Sequence, residues 1–229
     1  MIISPTLTVV KVLFSIRIFI VNEIIYFVYH TFQAGKENHM YCGCNKTALS
    51  SLRSIADSFQ SLLEEEPYSK ISVSRICDRA SVSRQTFYSL FESRENIVAF
   101  ILSNDYSFDP NEDCKCTGTP TFPELCKGFA EYIEQKSDFI LLLERNKIIY
   151  LMQDCMFESF KCCVKDWDIP DGELSKILSG NDAVSDLVVD YVASGLTTIA
   201  KHYVSNRDTI TTPVLEKLIY DIFRGGLFE

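Results

Sequence analysis

Four polar side chains stand together in the stretch RQTFY, at residues 84–88. Arg84 carries a fork of N–H donors that can bind O6 and N7 of guanine at once, and Gln85 can pair with N6 and N7 of adenine. The Thr86 methyl or hydroxyl can touch a base edge, and Tyr88 places a phenol close by. Together these groups suit recognition of nucleic-acid bases, although each one alone is also an ordinary solvated surface residue.

Two short predicted helices position these side chains. The first begins after Ser72, a suitable N-cap, and its apolar residues recur at helical spacing. A break at residues 81–83 follows, where Ser83 can cap a second helix that buries Phe87 and Phe91. Two short helices joined by a tight turn predict a helix-turn-helix, and an ordinary helical hairpin in an all-α core is the alternative.

The flanking residues decide between these two interpretations. The informative residues are Tyr68, Ser72-Val73, Ile76-Cys77, Ala80-Ser81-Val82-Ser83, Thr86-Phe87-Tyr88, Phe91 and Arg94-Glu95. In this order and spacing they resemble the DNA-binding domain of the TetR family of bacterial regulators. Two departures are visible, since Ser81 stands where glycine is usual and Cys77 where alanine is usual. Both substitutes are small, so we expect the fold to survive them.

This resemblance implies a fold class and a division into domains. The fold is expected to be all-α. Residues 41–108 form a helix-turn-helix domain of three helices, and residues 109–229 form a helical C-terminal body for ligand sensing and dimerisation. Residues 1–40 are a separate N-terminal extension.

The resemblance also assigns roles at the DNA. It places Tyr88 on a backbone phosphate and Ser72 and Arg94 on phosphates beside the groove, and such contacts set position and affinity rather than sequence preference. It implies a repressor that a small-molecule effector, bound in the body, releases from its operator. An activator, or a regulator that responds to a partner protein, stays open. The predicted DNA-binding set is Ser72, Ser83, Arg84, Gln85, Thr86, Tyr88 and Arg94.

Two helices near the C-terminus, at about residues 183–205 and 212–224, carry apolar stripes at helical spacing. Each stripe can simply be core, but the resemblance favours a four-helix interface between two copies of the chain. Such a homodimer places two helix-turn-helices about one DNA turn apart and requires a palindromic operator. The predicted interface residues are Leu187, Tyr191, Gly195, Ile199, Leu215, Leu218, Ile219 and Ile222.

Charge is divided unevenly along the chain. The formal net charge is −9, which at first argues against a DNA-binding protein. Residues 105–229 carry twelve basic and twenty-two acidic groups, whereas residues 41–104 carry seven of each. The acidity therefore belongs to the C-terminal body, and the predicted DNA-binding domain is neutral with several basic groups available to phosphates.

Residues 9–32 are strongly apolar, yet Lys11, Arg17 and Glu23 interrupt them. A membrane span needs about twenty nearly uncharged residues, and a signal peptide needs its charges first and a small-residue cleavage site. The residues before Met40 can be encoded by a purine run with a ribosome-binding sequence, so we expect Met40 to be the natural start. A membrane-associated interaction protein anchored by residues 8–32 is the alternative.

Nine cysteines raise the possibility of a thiol- or metal-responsive regulator that uses Cys114 and Cys116. A structural metal site usually repeats paired ligands at a recognisable spacing, and two C-x-C pairs with three histidines fall short of that. Reduced thiols in the cytoplasm are the preferred interpretation. We therefore predict no metal site, although a thiol switch at Cys114 and Cys116 stays open.

No enzyme motif is visible in the chain. It has neither a glycine-rich phosphate loop nor a G-x-S-x-G or H-E-x-x-H sequence. We therefore predict a regulator that is not an enzyme and needs no cofactor. Its predicted partners are double-stranded DNA, a second copy of the chain and a small-molecule effector, and its predicted location is the cytoplasm.

Overall fold

A computed structural model describes residues 46–103, 122–164 and 183–224. Within those residues the chain forms nine α-helices and one short 3₁₀-helix, with no strand, so the predicted all-α fold is confirmed. The boundary at residues 108 and 109 lies outside the described residues. The helices are α1 Lys46–Glu65, α2 Val73–Ala80, α3 Arg84–Leu90, α4 Glu95–Ser103, α5 Phe122–Gln135, α6 Ser137–Arg145, α7 Tyr150–Val164, α8 Ala183–Ser205 and α9 Thr212–Arg224, and the 3₁₀-helix is Tyr68–Lys70.

The N-terminal domain consists of α1 to α4, with α1 packed against the other three. The α1 helix forms because apolar residues recur every three or four positions along one face, and Phe59 at the centre of that face is completely buried. Pro67 follows the helix and cannot continue its hydrogen bonds. Phe87 and Phe91 are buried in the same core as Phe59, and the burial of each such ring stabilises the fold by about 2–3 kcal/mol.

Serine residues set the bounds of the two short helices. Ser72 caps α2, since its Oγ accepts a hydrogen bond from the Arg75 backbone N–H at 3.3 Å. Ser81 follows α2 in the left-handed region, with φ 56°. The backbone N–H of the next residue, Val82, donates to Cys77 O at 3.0 Å. This is the hydrogen bond of a Schellman ending, which normally places glycine at that position. Serine adopts the conformation here at a cost that glycine would not carry.

The C-terminal body consists of α5 to α9. The α9 helix packs against α5, and α8 packs against α6 and α7. Gln153 on α7 donates to Asp190 Oδ1 at 3.0 Å and to Ser194 Oγ at 2.7 Å, which fixes α7 against α8. Among the described helices, α8 is long and apolar enough to cross a membrane, as many core helices of globular proteins also are.

The structure corrects part of the predicted interface. Leu215 and Ile219 on α9 are 1% and 0% exposed within a single chain. They face the side of α9 that packs against α5, so they belong to the core of the body and are not available to a second chain. Sequence reasoning placed them on the same stripe as Leu218, because periodicity alone does not show which edge of a stripe is covered.

Candidate nucleic-acid interface

The α3 helix has one buried and one exposed side. Phe87 and Leu90 fill the core, whereas Arg84 and Gln85 lie exposed on the first turn. Tyr88 is 59% exposed, and its ring meets the edge of Phe87 at 5.4 Å between centroids. The core therefore fixes the direction of the helix. Of the predicted base-contacting residues, Arg84 and Gln85 are exposed and Thr86 is partly buried.

Ser83 and Thr86 form the start of α3. The Ser83 Oγ accepts a hydrogen bond from the Thr86 backbone N–H at 3.0 Å, which confirms Ser83 as the N-cap. The two hydroxyl oxygens lie 2.8 Å apart and share a further hydrogen bond. This pair holds the Thr86 side chain in one orientation at the end of the helix where Arg84 and Gln85 begin.

Lys70 ends the 3₁₀-helix, and Ser72 follows it immediately before α2. Both side chains are exposed, and Ser72 caps the helix. The positive end of a short helix and an exposed ammonium group are suited to a phosphate. The structure therefore leaves the predicted phosphate role of Ser72 open, and it adds Lys70 as an exposed cation two residues before Ser72.

Two arginines of α2 are already occupied. Arg79 forms a forked pair with Glu65, with N···O distances of 2.7 and 2.6 Å, and Arg75 binds Glu66 at 2.8 Å. The hydrogen bonds from Arg79 lower the pKa of the Glu65 carboxyl. These pairs hold α2 to the end of α1, and they engage both guanidinium groups in contacts within the domain.

The Arg84 guanidinium is different. Among the described residues it has no hydrogen bond and no ion pair, and its side chain is exposed. The same holds for Lys70 and for Arg53 on α1. The domain has no net charge, but these three cationic side chains are exposed and unpaired among the described residues, and Arg84 lies on α3 itself.

Arg94 stands at the start of α4, where its predicted role was a phosphate contact. Its guanidinium lies 3.9 Å from the centre of the Tyr68 ring, and its Nη1 donates to Tyr68 O at 3.1 Å and to Ile71 O at 2.6 Å. The Nε donates to Glu95 at 3.2 Å. Arg94 therefore joins the 3₁₀-helix to α4, and its phosphate contact stays a prediction.

Tyr68 is buried at the centre of this junction, and its hydroxyl donates to Glu95 Oε1 at 2.5 Å. Burial and that hydrogen bond raise the pKa of Tyr68 above its usual value. Burial opposes ionisation of Glu95, but hydrogen bonds from Tyr68, from its own backbone and from Ser93 outweigh it, so the pKa of Glu95 is lowered. The junction therefore contains a neutral phenol and an ionised carboxylate at pH 7.

Part of the predicted interface in the body is exposed. Leu187 and Tyr191 on α8 are 68% and 79% exposed, and Leu218 on α9 is 36% exposed. Gly195, Ile199 and Ile222 are partly buried. Two more exposed apolar residues were not predicted, because their position in a helix does not reveal which side is covered. They are Val184, 52% exposed on α8, and Val214, 52% exposed on α9.

The thiol and metal alternatives find no support in the described part of the chain. That part contains no group of three or more histidine, cysteine, aspartate or glutamate side chains placed to hold a metal ion. Cys77, Cys126 and Cys155 are free, and burial raises the pKa of Cys126 and Cys155 to about 12. Buried thiols of this kind react slowly at neutral pH. Cys114 and Cys116, like residues 8–32 and Met40, lie outside the described residues.

Comparison with known proteins adds two sequence findings. Residues 60–100 match the family model described as "Bacterial regulatory proteins, tetR family". One curated relative is the HTH-type dhaKLM operon transcriptional activator DhaS of Lactococcus lactis subsp. lactis (strain IL1403), which is 30% identical over 121 residues. That match covers 50% of this chain and 56% of the relative, so the chain spans little more than half the relative's length.

A solved structure also resembles this one. The TetR transcriptional regulator from Streptococcus agalactiae 2603V superposes with a TM-score of 0.46 and 21% sequence identity. The superposition covers 78% of this chain and 96% of that chain. The family match at residues 60–100 runs from the end of α1 through the 3₁₀-helix, α2 and α3 into α4, and it includes the helix that carries Arg84 and Tyr88.

Proposed function

We propose that this chain is a regulator of the TetR family that controls transcription from a palindromic operator, because its helix-turn-helix matches the model of that family. The predicted resemblance to that family is confirmed. Its helix-turn-helix supports binding to DNA, with α3 as the helix that enters the major groove. In this proposal Arg84, Gln85 and Thr86 contact base edges, and Ser72, Ser83 and Tyr88 contact the backbone of the DNA.

One observation carries this proposal. Arg84 is exposed on the first turn of α3 and has no partner among the described residues, whereas Arg75 and Arg79 of the same domain are both paired. Forked recognition of guanine needs a guanidinium that is free and held on a rigid element. Arg84 meets both conditions, because the Ser83 cap and the buried Phe87 fix the helix that carries it.

The proposed active form is a homodimer. A single α3 helix reads only a few base pairs, and a twofold dimer doubles the site and makes it palindromic. The exposed apolar residues of α8 and α9 support this arrangement, since Leu187, Tyr191 and Val184 form one continuous exposed stripe at helical spacing. Leu218 and Val214 provide the corresponding residues on α9.

The direction of regulation has two candidates. A dimer that covers an operator can block a promoter, and release by a small-molecule effector bound in the body then makes the protein a repressor. The curated relative is named a transcriptional activator, which favours the opposite direction. A reporter gene placed behind the native upstream DNA distinguishes them, because deletion of the regulator raises expression under repression and lowers it under activation. In both cases the protein acts in the cytoplasm.

The test of DNA recognition compares three proteins on DNA selected from a random pool and on the DNA upstream of the gene. We expect the unaltered protein to bind a palindrome with an affinity that falls steeply as salt rises. Arg84→Ala is expected to cost about 1–3 kcal/mol for each half-site and to relax base preference at one position. Arg79→Ala removes an equal charge from the same domain and is expected to keep the base preference.

Two results would contradict the proposal. The first is binding by the unaltered protein that is weak and indifferent to sequence on both DNA sources. The second is an Arg84→Ala protein that selects the same sequence as the unaltered protein, with equal preference at every position. In the second case a different element reads the bases.

A further inference from the structure

Asn146 lies in the turn between α6 and α7 of the C-terminal body, yet its side chain bonds mainly to the N-terminal domain. Its Oδ1 accepts a hydrogen bond from the Tyr68 backbone N–H at 3.0 Å. Its Nδ2 donates to Leu63 O at 3.0 Å and to Leu142 O at 3.1 Å. One side chain thus joins the end of α6 to the end of α1 and to the 3₁₀-helix, across separations of 83 and 78 residues.

The N-terminal domain needs these bonds because of Pro67. In a continuing helix Leu63 O would accept from the N–H four residues later, but that residue is Pro67, which has no N–H. The Tyr68 N–H stands at the start of the 3₁₀-helix, where no preceding turn supplies an acceptor. Asn146 provides both missing partners, and an amide is the side chain that can donate and accept at once.

Tyr68 extends this contact to the elements that hold DNA. Its carbonyl accepts from Arg94, its ring lies under the Arg94 guanidinium, and its hydroxyl donates to Glu95 at the start of α4. Arg94 also bonds to Ile71 O, immediately before Ser72 caps α2. A displacement of Asn146 is therefore passed through one buried residue to the beginnings of both α2 and α4.

The turn that carries Asn146 has a fixed shape. Lys147 lies in the left-handed region with φ 60°, and the Ile148 N–H donates to Leu143 O at 2.9 Å, which is a Schellman ending of α6. The side-chain bond to Leu142 O ties Asn146 to the same last turn. The amide thus moves with α6 as a unit, so its position reports the position of the body.

We propose that Asn146 is the positioning residue through which the C-terminal body sets the orientation of the helix-turn-helix. The body also contacts the N-terminal domain where α7 packs against α4, where α6 packs against α1, and where the Tyr132 hydroxyl donates to Leu102 O at 3.2 Å. Asn146 adds hydrogen bonds at the C-terminal end of α1 and at the 3₁₀-helix. These bonds prevent the end of α1 and the 3₁₀-helix from turning separately from the last turn of α6. A ligand or partner that shifts the last turn of α6 withdraws both of these bonds together and frees the domain to turn.

This inference rests on the proposed function, and its test measures the spacing between two half-sites. Palindromic duplexes built from the selected half-site differ by one base pair in spacing. We expect the unaltered dimer to lose about tenfold in affinity or more one base pair from its best spacing, because its two domains are held in place. Asn146→Ala is expected to flatten this profile, with a loss of about tenfold at the best spacing and a smaller loss elsewhere.

A second readout needs no DNA. Hydrogen exchange across residues 64–71 should speed up in Asn146→Ala by about tenfold or more, because the Tyr68 N–H loses its acceptor. Arg145→Gln is the matched control, since Arg145 is exposed, precedes Asn146 and has no partner among the described residues. We expect it to keep both the spacing profile and the exchange rate. If Asn146→Ala does not fold, Asn146→Asp keeps the size and the acceptor but removes the donor to Leu63 O.

The two measurements distinguish a positioning role of Asn146 from a role in stability alone. A flattened profile with faster exchange, absent in the control, supports the inference. An unchanged profile overturns it, and so does an equal loss of affinity at every spacing, because that pattern means that Asn146 only stabilises the fold. If the unaltered protein shows no sequence-specific binding at all, the proposed function has failed instead, and the exchange measurement alone still tests whether Asn146 holds the end of α1.

Discussion

Two exposed tyrosines lie in different surroundings: Tyr88 on α3 of the N-terminal domain and Tyr191 on α8 of the body. Tyr88 is 59% exposed and Tyr191 is 79% exposed. Around Tyr88 the exposed side chains are polar, with Arg84 four residues before it. Tyr191 continues an exposed apolar stripe, with Leu187 four residues before it and Val184 three residues earlier still.

The difference between the two surroundings shows that exposure alone does not indicate which kind of partner a tyrosine binds. A tyrosine offers an apolar ring and a polar hydroxyl, and its neighbours decide which of the two is used. Beside an uncommitted guanidinium the hydroxyl is suited to a phosphate, whereas within an apolar stripe the ring is suited to another protein surface. We therefore propose DNA as the partner of the α3 surface and a second copy of the chain as the partner of the α8 surface. The first two of the following predictions test that contrast, and the third compares one turn in each region.

The largest effect is expected from Leu187→Glu. In the isolated chain this change is nearly neutral, because Leu187 is 68% exposed. In a twofold interface it buries two unpaired carboxylates, which costs about 3 kcal/mol or more and raises the dimer dissociation constant by about 100-fold or more. Sedimentation equilibrium measures the change, and operator binding should fall with it.

The control for that experiment is Gln135→Glu. Gln135 is an exposed residue at the end of α5, a helix that carries none of the residues assigned to the interface, and the variant adds the same charge. We expect it to remain a dimer. If Leu187→Glu also remains a dimer at micromolar concentration, with unchanged helix content by circular dichroism, the α8 surface is not the interface.

A smaller effect is expected from removing one hydroxyl at each tyrosine. Tyr88→Phe loses a hydrogen bond to a charged phosphate and should weaken binding by about 1 kcal/mol per half-site, or about fivefold, alike on all sequences. Tyr191→Phe keeps the apolar ring, so its operator affinity and dimer dissociation constant should stay within about twofold. Fluorescence anisotropy on specific and nonspecific DNA measures both, and equal effects of the two changes would remove the contrast.

The smallest effect concerns two strained turns, one in each region. Ser81 and Lys147 have φ values of 56° and 60°, which glycine adopts without a steric penalty. Ser81→Gly and Lys147→Gly should each raise the free energy of unfolding by about 0.5–1 kcal/mol, since the strain removed exceeds the added entropy of the unfolded chain. Urea titration followed by circular dichroism measures it. A loss of stability in either variant would mean that the side chain holds its turn through contacts that outweigh the strain.

The helix-turn-helix could be predicted from the sequence because its signals act within four residues. Ser72 and Ser83 cap helices through the third residue after each, and Pro67 ends α1 by lacking an N–H. The apolar period places Phe87 inside and Tyr88 outside whatever the rest of the chain does. The family resemblance rests on the same short stretch, and the family model matches it.

Contacts between distant residues were decided only in the tertiary structure. The sequence predicted a base contact for Arg84 and a phosphate contact for Arg94, but it did not show which arginines the fold would pair. The fold pairs Arg75 and Arg79 with carboxylates, bonds Arg94 to backbone carbonyls and leaves Arg84 without a partner among the described residues. On α9 the fold buries Ile219 and leaves its neighbour Leu218 partly exposed, because α5 packs on one side only.

Asn146 is the clearest example of a contact that the sequence does not predict. Nothing within a few positions of it indicates that its amide completes the end of a helix 83 residues earlier. Caps and periods are local, so the sequence by itself determined the helices and the polar surface of α3. The tertiary structure decided which charged groups stay unpaired, which apolar residues stay exposed and how the body contacts the N-terminal domain. These properties depend on which distant residues the fold brings together, and a hydrogen bond requires its two atoms to lie about 3 Å apart.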